Sequence, residues 1–348
     1  MVYKQSLEQL LAGRDLAYVD MLELMQQVMG GELTPAQIAG LVIALRIKGE
    51  SVDEITAAAT VMRQLSTKVE IAASPNFIDN LIDTCGTGGD GIQTFNVSTC
   101  AAFVAAAAGA KVAKHGGRSV SSTCGSADVL EALGVNVNVT PEQVAKCINN
   151  IGIGFMFAPN HHSAMKHAAP VRRELGVRTI FNLLGPLTNP ANARRQVMGV
   201  FSKDITLKLT KVLQNLGSEH VMVVCGADGM DEISFTGDTF VAELKDGKIS
   251  EYTLNPVQFG LKIHALKSIK VENALQSKTM ILDVLDGKSD AGKQSAARDI
   301  VLLNAGAAIY VAGLQTSIDA SIEQAANVID SGAAKQKLAE LIRLSTWR

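Results

Sequence analysis

Four glycines lie within a short stretch of the sequence, at Gly86, Gly88, Gly89 and Gly91, and the acidic residue Asp90 lies among them. Glycine allows backbone N–H groups to approach an anion closely, and a helix that starts after such a loop adds partial positive charge. The stretch therefore indicates an anion site. Because Asp90 would repel a bare phosphate, we expect it to face sugar hydroxyls or a cation. A tight turn that only caps the next helix is the structural alternative.

The glycine spacing also fits the G-x-G-x-x-G fingerprint of dinucleotide-binding folds. Such sites need an acid about 20 residues further on, which holds the ribose. No Asp or Glu occurs between Gly91 and Ala127, and no Gly-Lys-Ser/Thr follows as in a Walker A loop. The dinucleotide and P-loop interpretations therefore lose their support, whereas Ser98 and Thr99 at the predicted helix start can offer hydroxyls to a ligand.

A second segment, "AKHGGRSVSSTCGSADVLEALG", combines the possible cations Lys114, His115 and Arg118 with glycines and several hydroxyls. Cations mixed with hydroxyls and glycine fit a loop that closes over phosphate. A solvated surface loop is the alternative. Two loops of this kind in one α/β unit favour a phosphorylated ligand. The hydroxyls belong to Ser119, Ser121, Ser122 and Ser126.

An acid pair, Asp231 and Glu232, follows a run that reads as a strand, "HVMVVCG". Adjacent side chains diverge on a strand, but in a loop they can converge on one cation. Hard oxygen ligands suit Mg²⁺ that is held together with substrate phosphates. A surface acid pair is the alternative.

Two adjacent arginines, Arg172 and Arg173, precede the turn "GPLTNP". A guanidinium matches a carboxylate in bidentate geometry, so one of the two can form a carboxylate clamp. We expect no more than one to be functional, and charge on a helix surface is the alternative. The nearby His161, His162 and His167 do not have the spacing of a zinc site.

Cap signals predict helices over residues 1 to about 70. Thr34 before Pro35 reads as an N-cap, and Ser51 with Glu54 reads as a capping box. Residues 72–77 read as a linker. Beyond it, the apolar runs "FIDNLIDTC", "AKVAKHG", "IGFMFAP" and "HVMVVCG" alternate with helical stretches, which predicts a mostly parallel α/β sheet.

Three further local signals occur in this part. Thr140-Pro141 predicts a capped helix, Ser126 is predicted to cap the helix that ends at Gly134, and Asp246-Gly247 predicts a hairpin turn. The last third of the chain has the pattern of long helices.

Composition excludes several classes of protein. The 348 residues suggest about two domains, and 47% hydrophobic residues can form a sizeable core. A net charge of −2 without a basic block counts against a nucleic-acid binder. The sequence shows no signal peptide or spanning segment, so we expect no membrane partner. Five scattered cysteines predict reduced thiols and a cytoplasmic location.

Taken together, "GTGGDG" with "TFNVST", "AKHG-RSVSS" with "GSADVLEALG", "APVRRELGVRTIFNLLGPLTNP" and the acid pair resemble the anthranilate phosphoribosyltransferase family in order and spacing. The resemblance covers essentially the whole chain. It implies an α/β fold of the nucleoside phosphorylase-like type, with a small N-terminal helical domain and a large α/β domain with a mostly parallel central sheet. The implied bounds are 1–72, with a further helical contribution from about 165–190, and 73–348.

The resemblance also implies an activity in tryptophan biosynthesis. The phosphoribosyl group of 5-phosphoribosyl 1-diphosphate (PRPP) would be transferred to the amino group of anthranilate, with Mg²⁺ as cofactor, by a homodimer formed through the helical part. Lys114, His115 and Arg118 would be catalytic, and Ser98, Asp231 and Glu232 would carry the metal. Anthranilate would contact Gly86, Gly117 and Arg172. PRPP would contact Gly86, Gly89, Asp90, Thr94, Asn96, Val97, Ser98, Thr99, Lys114, His115, Gly116, Gly117, Arg118, Ser119, Val120, Ser121, Ser122 and Ser126.

Four positions depart from the family pattern. Thr123 and Cys124 stand where a lysine and a serine are common, Ser163 stands where proline is usual, and the fourth is Gly117. Gly117 replaces the asparagine that usually helps to hold anthranilate. A glycine cannot supply an amide, so we expect weaker anthranilate binding, by about 0.5–1.5 kcal/mol for one hydrogen bond.

The sequence is also compatible with two other functions. A pyrimidine nucleoside phosphorylase-like enzyme would need a nucleobase pocket and orthophosphate, whereas the glycine loop and the acid pair favour a diphosphate with a metal. A non-catalytic paralogue would bind another ligand or a nucleic acid, and the absence of basic excess counts against the latter.

Overall fold

The computed structural model describes residues 2–71, 80–118, 124–287 and 293–346. The strands in these ranges form a single sheet in the order β3-β2-β1-β4-β5-β6-β7. All neighbours from β3 to β5 pair in parallel, and β6 and β7 are antiparallel. The predicted mostly parallel sheet is confirmed. The strands are β1 (Leu81–Asp83), β2 (Lys111–Gly116), β3 (Ile153–Phe157), β4 (Arg195–Gly199), β5 (His220–Gly226), β6 (Thr239–Lys245) and β7 (Lys248–Leu254).

Helices precede the sheet, connect its strands and follow it. The described chain shows no helix long and apolar enough to cross a membrane. Short 3₁₀ helices cover Ser163–His167, Lys203–Ile205, Pro256–Phe259 and Leu266–Ile269. The α-helices are α1 (Val2–Leu11), α2 (Tyr18–Gly30), α3 (Pro35–Lys48), α4 (Val52–Leu65), α5 (Val97–Ala107), α6 (Ser126–Leu133), α7 (Pro141–Ile151), α8 (Ala158–His161), α9 (Ala169–Leu175), α10 (Phe181–Leu184), α11 (Thr206–Asn215), α12 (Ala274–Leu285), α13 (Lys293–Val311), α14 (Ile318–Asp330) and α15 (Ala333–Thr346).

Local cap chemistry fixes several helix starts as predicted. Thr34, Ser51 and Thr140 each accept a hydrogen bond from the backbone N–H three residues on, and the side chain at that position bonds back to the cap. Ser126 was wrongly predicted as a cap, because it is the first residue of α6 and Gly125 precedes the helix. The Asp128 carboxylate accepts from the Gly125 N–H, so an acid inside the helix supplies the cap.

The sheet separates the two largest hydrophobic cores of the described residues. On β5, Met222 and Val224 pack with α5 and α12 to α15, whereas Val221 and Val223 pack with the N-terminal helices. This alternation follows from the two-residue period of a strand that is buried on both faces. The second core joins α2, α3 and α4 to α9, α10 and α11. The predicted linker lies outside the described residues, so the domain bounds stay a prediction.

The strand β4 was not among the predicted runs. Its sequence "RQVMG" is short and begins with two polar residues, although four of its five residues are buried.

The hairpin between β6 and β7 is confirmed, with Asp246 at φ 51° and Gly247 at φ 74° in the turn. Both residue types tolerate this left-handed conformation.

Candidate active site

A cavity of about 350 Å³ opens where β1, β2 and β5 end. Ligand sites of parallel α/β sheets form at this carboxyl edge. Every site residue predicted within the described ranges lines the cavity, whereas Ser119, Val120, Ser121 and Ser122 lie outside those ranges. The predicted residues on its wall are Gly86, Gly89, Asp90, Thr94, Asn96, Val97, Ser98, Thr99, Lys114, His115, Gly116, Gly117, Arg118, Ser126, Arg172, Asp231 and Glu232.

The glycine loop is folded onto the acid pair. Gly88, at φ 64°, donates its N–H to Asp231 Oδ2 over 2.8 Å. The N–H of Ser98, in the first turn of α5, donates to Glu232 Oε1 over 3.1 Å. The acids therefore occupy two N–H groups that the sequence suggested for an anion. The backbone of Asp231 also packs closely against the end of β4. Glycine is required at position 199, because a Cβ there would lie 1.5 Å from the Asp231 carbonyl oxygen.

Asp231 interacts with two further carboxylates, Asp90 and Glu232, at this end of the cavity. Burial raises the pKa of Asp231, and the nearby Asp90 carboxyl raises it further. Burial followed by the charge of Asp231 raises the pKa of Glu232. Two carboxylates held close together repel each other, so each favours the protonated form of the other. A divalent cation would relieve the same repulsion, so the donor set fits Mg²⁺.

The protein alone does not complete a metal site here. Within the described residues, no three His, Cys, Asp or Glu side chains form a group that could hold a metal ion. Mg²⁺ commonly binds through one or two carboxylates plus substrate phosphates and water. The arrangement therefore suits a cation that arrives with a phosphorylated ligand.

Lys114 lies beneath the glycine loop. Its side chain is buried, and Nζ donates to the Thr84 carbonyl over 3.0 Å and to Ser98 Oγ over 3.3 Å. Its positive charge lowers the pKa of Glu232 against the larger effect of burial. Lys114 therefore offsets the negative charge of the acid pair.

His115 is a neutral imidazole. Burial, followed by the neighbouring His162 and His161, lowers the pKa of His115 to about 3. Its Nδ1 is 3.2 Å from the Gly185 carbonyl, which can only accept, so Nδ1 carries the proton. Nε2 is then an acceptor, and it is buried without a partner among the described residues.

Arg118 and the arginine pair differ in their surroundings. Arg118 is half exposed and forms ion pairs with Asp128 and Glu131 of α6. Arg172 lines the cavity with its guanidinium 5.5 Å from the centre of the Phe181 ring, whereas Arg173 is exposed and is not on the cavity wall. Of the arginine pair, Arg172 is the one placed where it could clamp a carboxylate in the cavity.

The two glycines after His115 have different roles. A Cβ on Gly116 would lie 2.2 Å from Ser126 Oγ, so packing requires glycine there. A Cβ on Gly117 would meet no heavy atom within 4 Å, and its φ is not positive. Neither the backbone nor the packing therefore requires glycine at position 117.

Several wall residues were not predicted as site residues. Phe95, Cys124, Phe181 and Asn182 are among them. Phe181 and Asn182 belong to the quoted run "RTIFNLLGPLTNP", but a buried aromatic in an apolar run gives no signal of a binding role. The proximity of Phe181 to Arg172 could have been suspected only from the fold.

The family models match most of the chain. Residues 78–335 match the glycosyl transferase family a/b domain, and residues 4–66 match the helical bundle domain of the same family.

Several known proteins similar to this chain carry the same name. Anthranilate phosphoribosyltransferase of Methylobacillus flagellatus is 61% identical over 99% of this chain and 98% of the relative. The enzyme of Thiobacillus denitrificans is 60% identical over 99% of this chain and 97% of its own length. The Thermus thermophilus enzyme structure matches with a TM-score of 0.90 and 40% identity, over 98% of this chain and 99% of that one.

A structure of the Saccharomyces cerevisiae enzyme in complex with PRPP and Mg matches with a TM-score of 0.88 and 27% identity. It covers 99% of this chain and 98% of that one. The resemblance that was inferred from the motifs is confirmed, and the chain belongs to the anthranilate phosphoribosyltransferase family.

Proposed function

We propose that this protein transfers the 5-phosphoribosyl group of PRPP to the amino group of anthranilate and releases pyrophosphate. One observation carries the proposal. A single cavity combines an acid cluster beside a glycine loop with a guanidinium next to an aromatic ring. The first wall suits a metal-bound diphosphate and ribose, and the second suits an aromatic carboxylate.

The chemistry needs positioning more than proton removal. The amine nitrogen forms a bond to C1 of the ribose while the bond from C1 to the pyrophosphate oxygen breaks, and the nitrogen then loses a proton to water or to the departing pyrophosphate. An aromatic amine is neutral and nucleophilic at physiological pH, so no strong base is required. Arg172 would orient the carboxylate, and the buried His115 would brace the second loop through its bond to the Gly185 carbonyl. Holding the two substrates in a reactive orientation lowers the activation free energy of the transfer.

The cavity wall with the acid cluster would stabilise the charges of the diphosphate and the ribose. Asp231, Glu232 and Ser98 would hold Mg²⁺, which supplies charge neutralisation of the diphosphate when bound. Lys114 balances the acids from below, and Asp90 would face the ribose, where positive charge develops. Arg118 would reach the leaving group only after exchanging its ion pairs with α6, where Glu131 holds both terminal guanidinium nitrogens.

We also propose a homodimer formed through the helical part. The apolar side chains Leu11, Val19 and Ile47 are 71%, 66% and 81% exposed on α1 to α3. An interface between subunits through these helices would bury these side chains. Light scattering of the purified protein would give twice the chain mass for a dimer, and the chain mass alone would contradict it. A cytoplasmic location stays a prediction.

The test of function is anthranilate fluorescence with PRPP and Mg²⁺. We expect a saturable loss of fluorescence that needs both, and chelation of Mg²⁺ should stop it. The control replaces the substrates with a pyrimidine nucleoside and orthophosphate, which a phosphorylase would use. No loss of fluorescence, or turnover only in the control, would overturn the proposal.

A further inference from the structure

Three side chains from distant parts of the sequence meet behind the glycine loop. Asn96 ends that loop, Cys124 precedes α6, and Ser277 lies on α12. The Ser277 hydroxyl accepts from the Asn96 N–H over 3.1 Å and donates to Asn96 Oδ1 over 2.7 Å. Asn96 Nδ2 donates to the Cys124 carbonyl over 3.2 Å, and the Cys124 thiol donates to Asn96 Oδ1 over 3.3 Å.

These bonds fix the orientation of the Asn96 amide. A carbonyl can only accept, so the group that faces the Cys124 carbonyl must be Nδ2. The Ser277 oxygen already accepts the Asn96 N–H, and its own proton is directed to Oδ1. Oδ1 therefore receives donors from both partners. One N–H of the amide has no partner among the described residues, and Asn96 lines the cavity.

The partners of Asn96 are themselves well fixed. Ser277 is fully buried, and Cys124 is 6% exposed. Burial raises the pKa of the Cys124 thiol to about 11, so it remains a protonated donor. The next residue on α12, Lys278, donates Nζ to the Ala132 carbonyl in α6 over 2.7 Å. Two adjacent residues of α12 therefore tie the glycine loop and α6 to the same helix.

We propose that Ser277 and Cys124 are positioning residues for the phosphoribosyl-donor half of the cavity, acting through the Asn96 amide. Neither needs to touch the substrate. Together they aim the free amide N–H into the cavity and hold the end of the glycine loop against the start of α6. The inference rests on the proposed function, since it assigns the PRPP side of the same cavity.

The first test is Ser277→Ala. We expect the KM for PRPP to rise about three- to tenfold, because the Asn96 amide loses one of its two fixing partners. The KM for anthranilate should change less than twofold. The matched control is Ser321→Ala, which removes a fully buried hydroxyl from α14 whose bond goes to Ser317 of its own helix turn. An equal change in both KM values, or the same change in the control, would overturn the proposal.

The second test separates positioning from packing at Cys124. Cys124→Ala should raise the KM for PRPP, whereas Cys124→Ser should restore it, because a hydroxyl can donate to Asn96 Oδ1. Cys147→Ala is the control, since Cys147 is a buried cysteine on α7 away from the cavity wall. Equal effects of the Ala and Ser variants would overturn the proposal, and this pair remains informative if Ser277→Ala does not fold.

Turnover by the wild-type protein distinguishes a failure of the proposed function from a failure of the positioning role. If the wild-type protein does not turn over anthranilate with PRPP, the proposed function fails and the positioning role with it. If the wild type is active and the variants retain its KM for PRPP, only the positioning role fails.

Discussion

Individual charged side chains in the cavity already have hydrogen-bond or ion-pair partners within the protein. Lys114 is bonded to Thr84 and Ser98, and Arg118 is paired with α6. Asp231 and Glu232 accept backbone N–H groups, yet burial and mutual repulsion still raise the pKa of both. The acid cluster is therefore the part of the site whose charge is least compensated, and a cation should act there most strongly.

Asp231→Asn tests the acid cluster. Because the pKa of Asp231 is higher in the folded than in the unfolded protein, ionisation of its carboxyl lowers the free energy of unfolding. This loss is absent below the unfolded pKa, grows as the pH rises and is complete above the folded pKa. An amide oxygen can still accept from Gly88. We expect a higher Tm than the wild type at pH 8 without ligand, and a strongly reduced Mg²⁺ stimulation of turnover. A lower Tm with unchanged Mg²⁺ dependence would contradict the assignment.

Arg172→Ala tests the carboxylate clamp. Hydrogen bonds to a charged group contribute about 1.5–3 kcal/mol, so the KM for anthranilate should rise roughly 10- to 150-fold. The KM for PRPP should change little. Arg173→Ala is the matched control, since the neighbouring guanidinium is exposed and off the cavity wall. A larger rise in the KM for PRPP would refute the clamp.

Gly117→Asn tests the departure from the family pattern. The position has open space and an ordinary φ, so the substitution should fold without strain. One added hydrogen bond should lower the KM for anthranilate about three- to tenfold. Gly116→Asn is the contrasting control, because a Cβ there collides with Ser126 and should reduce stability. An unchanged KM would show that another group already fills the role of the amide.

At the scale of elements, the N-terminal helices depend on one buried ion pair. Glu54 is fully buried in the first turn of α4, and its carboxylate accepts from Lys48 Nζ over 2.9 Å, from the Leu16 N–H over 2.9 Å and from the Ser51 N–H over 2.7 Å. One carboxylate thus connects the end of α3, the start of α4 and the segment before α2.

Glu54→Ala should strongly destabilise this bundle. Removing one partner of a buried pair costs about 3–5 kcal/mol because it leaves uncompensated buried groups. Ser51→Ala removes only the cap and should cost about 1 kcal/mol. Asp53→Ala is the matched control, since this acid in the same helical turn is exposed. Denaturant midpoints should follow that order, and equal midpoints for Glu54→Ala and Asp53→Ala would contradict the role of the pair.

At the scale of the molecule, the cavity draws its walls from both hydrophobic cores. Phe95 and Val97 belong to the core under the C-terminal helices, and Phe181 belongs to the core of the helical bundle. A ligand that contacts both walls links the two sides of the sheet. Binding should therefore stabilise the whole protein rather than one side of it.

PRPP with Mg²⁺ should raise the Tm. A ligand at 100 times its Kd stabilises the native state by about 2.7 kcal/mol. Mg²⁺ alone should have a much smaller effect, because the described residues supply too few ligands for a complete metal site. A thermal shift titration checks this, with orthophosphate plus Mg²⁺ as the control. An equal shift with orthophosphate would favour a phosphorylase-type site.

Much of the fold could be predicted because its signals are local. Capping boxes join residues three apart, and the buried runs of β1, β2, β3 and β5 are visible as short apolar segments. Where a local signal was ambiguous, the prediction failed. The strand β4 was not predicted, because its sequence begins with two polar residues. The cap of α6 was assigned to the wrong residue, because the Asp128 side chain supplies the cap and Gly125 rather than Ser126 precedes the helix.

The sequence alone determined which chemical groups this protein carries and in which order, because glycine loops, acid pairs and caps are short-range patterns. Only the tertiary structure decided which of these groups meet. Gly88 and Asp231 are 143 residues apart, and Asn96 and Ser277 are 181 apart, yet both pairs are hydrogen-bonded. The tertiary structure also places Arg172, but not Arg173, on the cavity wall. Such contacts depend on strand order and helix packing, which hydrophobic periodicity along one segment does not specify.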